Sequence, residues 1–157
     1  MRWSVTIPGH PVSWDRAYRT AKMPISRRGV PVLNEDMTPR LIHRPVLAPT
    51  AEIWKQNVQL LVQNAIPRRW QPSGQIRLLV ELHLAEDMDD DNALKLARDA
   101  ASRAIVDHLM RTGAEPKDAR RRGDDMNFLV CTLSKEVVPL RDARVVLTFD
   151  DDISHPR

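Results

Sequence analysis

The residues best suited to chemistry in this 157-residue chain are carboxylates in two short stretches. The first is the run 86–91, which holds Glu86, Asp87, Asp89, Asp90 and Asp91. Hard divalent cations such as Mg²⁺ take oxygen ligands, commonly a few carboxylates completed by water and substrate phosphate oxygens. Asp89 and Asp91 are two apart, so in an extended turn they point the same way, and Lys95 stands one helical turn beyond Asp91 on its face. Two carboxylates and an ammonium would then converge, and with a third carboxylate around the same point they would suit metal-assisted phosphoryl chemistry. The second stretch is Asp124-Asp125, just before an apolar run; Asp125 could reach the same site if that run forms a strand beside the one that precedes Glu86. The plainer alternative is a capped helix. Asp90 or Asp91 would be the N-cap, negative charge favours the first helical turn, and Asp91 with Lys95 is an ordinary i,i+4 pair worth about 0.2 to 0.5 kcal/mol.

Other chemistries are excluded more firmly. Counted from Asp87, the sixth residue is Asn92 instead of Gly and the twelfth is Arg98 instead of Glu, so the run is no calcium-binding EF-hand loop. There is no P-loop, no Gly-rich dinucleotide turn and no G-x-S-x-G elbow. The single cysteine, Cys131, rules out an intramolecular disulfide and a multi-cysteine zinc site, and the five histidines are scattered.

The elements that must position these residues follow from apolar periodicity. Trp3, Val5 and Ile7 alternate with Ser4 and Thr6, predicting a first strand that ends at Pro8 and Gly9. Residues 10–49 are rich in Pro, Arg and Gly without a sustained period, and the spacing predicts no regular structure there; 20–49 is expected to be a mobile loop. Thr50 is the expected N-cap of a helix carrying Trp54, Val58, Leu61 and Ala65, stopped by Pro67. Residues 76–84 place Ile76, Leu78, Val80, Leu82 and Leu84 on one face, the clearest strand in the chain. A second helix follows the acidic run, with Leu94, Ala97, Ala101, Ile105 and Leu109 as its stripe and Arg111 and Gly113 at its end. Residues 113–123 read as a charged insertion able to carry a short helix. Strands are expected at 128–133 and 143–149, joined through Pro139, and 150–157 as a disordered acidic tail. The expected fold is a single α/β (mixed α+β) domain over 1–149, a small mixed sheet covered by two main helices in the order β-α-β-α-β-β.

Charge is distributed unevenly. Residues 1–80 carry 12 Lys and Arg against 4 Asp and Glu, whereas 81–157 carry 12 against 17, and 19 of the 24 basic residues are Arg. Arginine suits bidentate phosphate contacts, so a polyanionic partner is one reading of the first half and a solvated basic face the other. No apolar run approaches the roughly 20 residues that span a bilayer, and the start lacks an apolar signal-peptide core. A soluble intracellular protein without a membrane partner is expected.

The run Asp89-Asp90-Asp91-Asn92-Ala93-Leu94-Lys95 resembles the central D-x-D-N-x-x-K motif of the RusA family of Holliday junction resolvases at every fixed position. The opening VTIPGHPVSWDRAYR (5–19), the helix over 51–65 and the pair Asp124-Asp125 are similar to the family's first strand and turn, first helix and third carboxylate, so the resemblance runs in order along most of the chain. The loop 20–50 and about a dozen residues around 113–123 look longer than in the family.

The resemblance implies a small phage- or prophage-encoded endonuclease, acting in the cytoplasm of a bacterial host, that resolves four-way DNA junctions by paired symmetric nicks in recombination and repair. It implies Mg²⁺, with Mn²⁺ as a substitute, held by Asp89, Asp91 and Asp125, where Asp124 or Asp118 could replace Asp125. Lys95 would face the phosphate and Asn92 would brace the turn. Two nicks in a nearly symmetric junction call for a homodimer. Arg16, Arg19, Arg27, Arg28, Arg120, Arg121 and Arg122 are the candidate DNA contacts, and Trp14 is a candidate base-stacking residue or a partly buried turn residue. A non-catalytic nucleic-acid-binding phage protein, or a nuclease acting on other branched DNA, are the alternatives.

Overall fold

A computed structural model describes residues 1–12, 14–72, 74–124 and 128–151, with the backbone alone at 14, 15, 92, 93 and 122–124. In chain order the elements are β1 (Arg2–Pro8), α1 (Trp14–Ala17), β2 (Tyr18–Pro24), β3 (Ser26–Arg27), β4 (Val30–Pro31), β5 (Leu41–Leu47), α2 (Pro49–Ala65), β6 (Ile76–Leu84), α3 (Asp90–Arg111), α4 (Pro116–Asp124), β7 (Leu129–Val137), a 3₁₀ turn (Leu140–Asp142) and β8 (Arg144–Asp150). The fold is mixed α/β. Four strands form one sheet in the order β1-β8-β6-β7, antiparallel except for the β6–β7 pair, which is parallel.

The period-2 pattern of β6 explains its central place. Ile76, Leu78, Val80, Leu82 and Leu84 are fully buried on the face that meets the helices, and Val145, Leu147 and Phe149 of β8 extend that face. Parallel neighbours need a long crossover, here α3 and α4. Helix α3 lays Leu96, Ala97, Ala100, Ala101, Ala104, Ile105 and Leu109 against the sheet and α2. Small alanines on that stripe let the helix axes approach closely. Beside them, Lys55 and Asp99 form an ion pair of 2.6 Å, and Gln59 and Gln63 both donate to Asp107 Oδ2 at 2.8 and 2.9 Å. At the other end of α3 an aromatic group closes the core. Trp3 stacks on Phe149 with centroids 4.2 Å apart, Trp70 meets Trp3 edge-on at 5.2 Å, and the Trp70 carbonyl is 2.6 Å from His108 Nε2.

Several expectations need correction. Residues 10–49 are not structureless: the arm β2–β5 is a two-stranded antiparallel ribbon, and β3 and β4 form a smaller hairpin at its far end. Its strands escape a periodicity reading because neither face is fully buried: Ala21 alone is half-buried in β2, and Ile42, Val46 and Leu47 are half-buried in β5. The N-cap of α2 is Ala48, not Thr50. Pro49 occupies the first helical turn, where its fixed φ and missing N–H cost nothing, and Ala48 N donates to Ala17 O, which anchors the turn two residues earlier than expected. The buried stripe of α2 is Ala51, Trp54, Val58 and Val62, while Leu61 and Ala65 sit at its margin. The charged insertion carries a true helix, α4, packed on α3. Of the acidic tail, Asp150 belongs to β8 and Asp151 accepts from the N-terminal ammonium of Met1 at 2.5 Å; residues 152–157 lie outside the described residues. No helix among the described residues is long and apolar enough to cross a membrane.

Candidate functional site

The acidic run sits where β6 leaves the sheet and α3 begins. Both parallel strands end here, since Val138 N donates to Leu84 O at 2.8 Å. In open α/β sheets the crevice outside the carboxyl ends of parallel strands is the usual place for a ligand. Asp89 is the N-cap of α3: its Oδ1 accepts from Asp91 N at 3.0 Å, while Asp90 and Asp91 stand in the first helical turn. The capping reading is therefore correct in kind, with the cap one or two residues earlier than the spacing suggested. Asp91 and Lys95 lie on one helical face, and both are exposed.

The ammonium that the tertiary structure brings to the acidic run is Lys135, a residue that sequence reasoning missed. Lys135 Nζ lies 2.6 Å from Asp90 Oδ1 and 3.0 Å from Asp87 Oδ1, and it donates to Met88 O at 2.8 Å. The hydrogen bond and charge of Lys135 hold the Asp87 carboxyl below the usual carboxylate range. In turn, hydrogen bonds to Asp90 and Asp87 push the Lys135 ammonium to a higher pKa than usual. One signal could have found it. Leu129, Cys131 and Leu133 alternate toward the helices, and Lys135 is the next residue of that series, so its side chain leaves the sheet on the α3 side.

Two depressions flank the acidic turn. One, of about 630 Å³, is lined by Asp87, Met88, Asp89, Asp90, Asp91 and Lys135. The other, of about 870 Å³, runs between the acidic turn and the β1–α1 connection, with His10, Val12, Arg16, Asp87, Asp89 and Leu140 on its walls. Its lining is chemically mixed, with carboxylates, the Arg16 guanidinium and apolar side chains. Among the candidate DNA contacts whose side chains are described, Arg16 alone lines a depression at the acidic turn.

The remaining candidates divide by element. Arg19 lies on β2, Arg27 on β3 and Arg28 in the turn after it, all exposed. Arg120 lines a separate groove with Asp99, Arg103 and Asp107, about two turns along α3 from Asp91. Arg121 and Asp118 are exposed on α4. For Arg122, Asp124, Asn92 and Trp14 only the backbone is described, and Asp125 lies outside the described residues. The expected route for the third carboxylate depended on β7 neighbouring β6, which it does. Their parallel register pairs Leu129 with Ile76 and Val137 with Leu84, and Ile76 N donates to Phe128 O at 2.7 Å. The start of β7 therefore stands at the end of the sheet opposite Asp89. Among the described residues, no three His, Cys, Asp or Glu side chains converge closely enough to hold a metal ion.

For Mg²⁺ the donor chemistry fits, because all the carboxylates of the turn are exposed oxygen donors. Asp87 and Asp90 are engaged by Lys135, which leaves Asp89 and Asp91 as the pair that would hold the ion. Comparison with known proteins found no family model that matches the chain and no curated protein that matches it.

Proposed function

We propose that this protein is a Mg²⁺-dependent, structure-selective endodeoxyribonuclease that resolves four-way DNA junctions by paired symmetric nicks. The observation that carries the reading is the run Asp89 to Lys95 at the mouth of the parallel strand pair, with Arg16 lining the same cleft as Asp87 and Asp89. Asp89 and Asp91 would hold the metal; Asp125, the third carboxylate that the resemblance implies, precedes β7, whose start stands at the end of the sheet opposite Asp89, and it is not part of this proposal. When bound, Mg²⁺ activates water and stabilises charge on the phosphate oxygens during in-line attack. Lys95 presents a cation to the phosphate from the first turns of α3. Arg16 fixes the incoming backbone on the other wall. Lys135 holds Asp87 and Asp90 and so limits the negative field that would otherwise repel the substrate. Two nicks require two such sites, and a homodimer in the bacterial cytoplasm is part of the proposal.

A second reading has its own observation. The Asp89 capping bond and the Lys135 ion pairs account for three of the carboxylates without any metal, as in a non-catalytic nucleic-acid-binding protein. One experiment separates the two. A labelled four-way junction and a linear duplex are incubated with wild type and Asp91→Asn, with Mg²⁺ and with chelator. Symmetric nicks confined to the junction, dependent on Mg²⁺ and absent in the variant, support the nuclease. Tight binding of an uncut junction across metals and pH sinks it, and cleavage of flaps in preference to junctions moves it to another branched substrate.

A further inference from the structure

The arm β2–β5 has no place in the chemistry of the acidic turn, and it is strongly basic. Residues 18–47 carry six Lys and Arg against two Asp and Glu. All six cations, Arg19, Lys22, Arg27, Arg28, Arg40 and Arg44, are exposed, and none forms an ion pair with a described residue. One of the two acids, Asp36, is turned inward on its own loop, where it accepts from Thr38 Oγ1 at 2.5 Å and Thr38 N at 3.1 Å.

The register distributes the charge over both faces of the ribbon. Ala21 pairs with Arg44 and Arg19 with Val46, which puts Arg19 and Arg44 diagonally on one face; Lys22 pairs with His43 on the other. The half-buried Ala21, Ile42 and Val46 share the face of Arg19 and Arg44, which nonetheless presents two exposed cations, and cations on both faces suit a slot with negative walls on either side. At the far end, Arg28 (φ 50°) and Gly29 (φ 79°) form the two-residue turn of the β3–β4 hairpin, which presents Arg27 and Arg28 at its tip.

We infer that the β2–β5 ribbon inserts into the major groove of duplex DNA, with Arg19, Lys22 and Arg44 on the phosphates of its two walls, and delivers the duplex to the acidic turn. The major groove is about 12 Å wide and admits a two-stranded ribbon. Paired strands stand about 4.8 Å apart, and seven residues of each reach about 23 Å, enough to follow the groove for a good part of a helical turn. The ribbon springs from the right place: Tyr18 begins β2 two residues after Arg16, which lines the cleft beside Asp87 and Asp89. Strand addition by a second copy is disfavoured because Pro24, Pro31, Pro39 and Pro45 interrupt the ribbon's edges and remove donors.

This inference rests on the nucleic-acid side of the proposed function and not on cleavage, so its test omits metal. Binding of a fluorescein-labelled DNA duplex is followed by anisotropy in chelator as salt is raised, for wild type, for Arg19→Gln/Lys22→Gln/Arg44→Gln, and for Arg68→Gln/Arg69→Gln on the exposed α2–β6 connection. Each lost phosphate contact lowers the log–log salt slope by about 0.9. The arm triple variant is expected to lose about 2 to 3 in slope and at least tenfold in affinity near 100 mM salt, whereas Arg19→Lys/Arg44→Lys, which keeps all three charges, is expected to keep the slope. The control pair is expected to keep both. Duplex RNA, whose major groove is too deep and narrow for the ribbon, is expected to bind at least tenfold more weakly and indifferently to the arm. An unchanged slope in the arm variant, equal losses in the control, or a shift from dimer to monomer by sedimentation with the slope retained would each overturn the inference. Duplex binding through the arm without junction cleavage would sink the nuclease reading alone; cleavage with an unchanged slope would sink the arm alone.

Discussion

Lys135 Nζ, near the end of β7, lies 2.6 Å from Asp90 Oδ1 at the start of α3, so an ion pair ties the outermost strand of the sheet to the first turn of the helix that crosses it. With the second contact to Asp87, one ammonium bridges both ends of the acidic turn.

The pH dependence of this bridge follows from its signs. Asp87 has a depressed pKa in the folded protein, so its contribution is present above the ordinary carboxylate value of 3.8 and is lost as pH falls through the lower folded value. Lys135 has a raised pKa, so its contribution is complete below 10.5 and is lost as pH rises through the folded value. NMR titration of the Asp87 carboxyl in Lys135→Met is expected to return its midpoint upward to the ordinary range. A midpoint that stays low in the variant would show that Lys135 is not the cause.

Asp89 separates capping from catalysis. Asp89→Ala removes the acceptor for Asp91 N and is expected to cost about 1 kcal/mol in urea unfolding, whereas Asp89→Asn keeps an acceptor and costs much less. Junction cleavage, in contrast, is expected to fall in both variants by at least a hundredfold, because the amide carries no charge for a metal. Full activity in Asp89→Asn would assign the residue to the helix alone.

Addition of Mg²⁺ is expected to raise the melting temperature of the wild type. Linkage sets the scale at about 2.7 kcal/mol when the free metal is a hundredfold above its Kd. An Asp89→Asn/Asp91→Asn double variant is expected to show no such rise, and an equal rise in both proteins would place the metal elsewhere.

Among the described residues Trp70 is the largest fully buried side chain, enclosed by Trp3, Phe149 and His108. Trp70→Ala is expected to cost about 3 to 5 kcal/mol, read as a shift of the urea midpoint. Because this cluster stands at the end of the sheet remote from the acidic turn, junction binding at low temperature is expected to survive the substitution.

Much of the frame was legible in residue order. Alternation marked β1 and β6, apolar runs marked β7 and β8, and helical spacing marked α2 and α3, because each of these elements sets apolar side chains into the core. Ribbon β2–β5 left no such trace, since neither face is fully buried and its strands are punctuated by proline. The Ala48 cap escaped for a related reason: what fixes it is a hydrogen bond to Ala17, thirty-one residues earlier.

The site divides along the same line. The sequence by itself determined that Glu86 to Asp91 follow an apolar strand and open an amphipathic helix, because periodicity and capping are local and act on neighbours in the chain. Only the tertiary structure decided which cation meets those carboxylates and where the start of β7 lies. Alternation along β7 is the same whichever way the strand runs. Its parallel pairing with β6 carries Lys135 to the acidic turn and sets Leu129 beside Ile76 at the opposite end, through backbone hydrogen bonds between residues some fifty positions apart that no local pattern encodes.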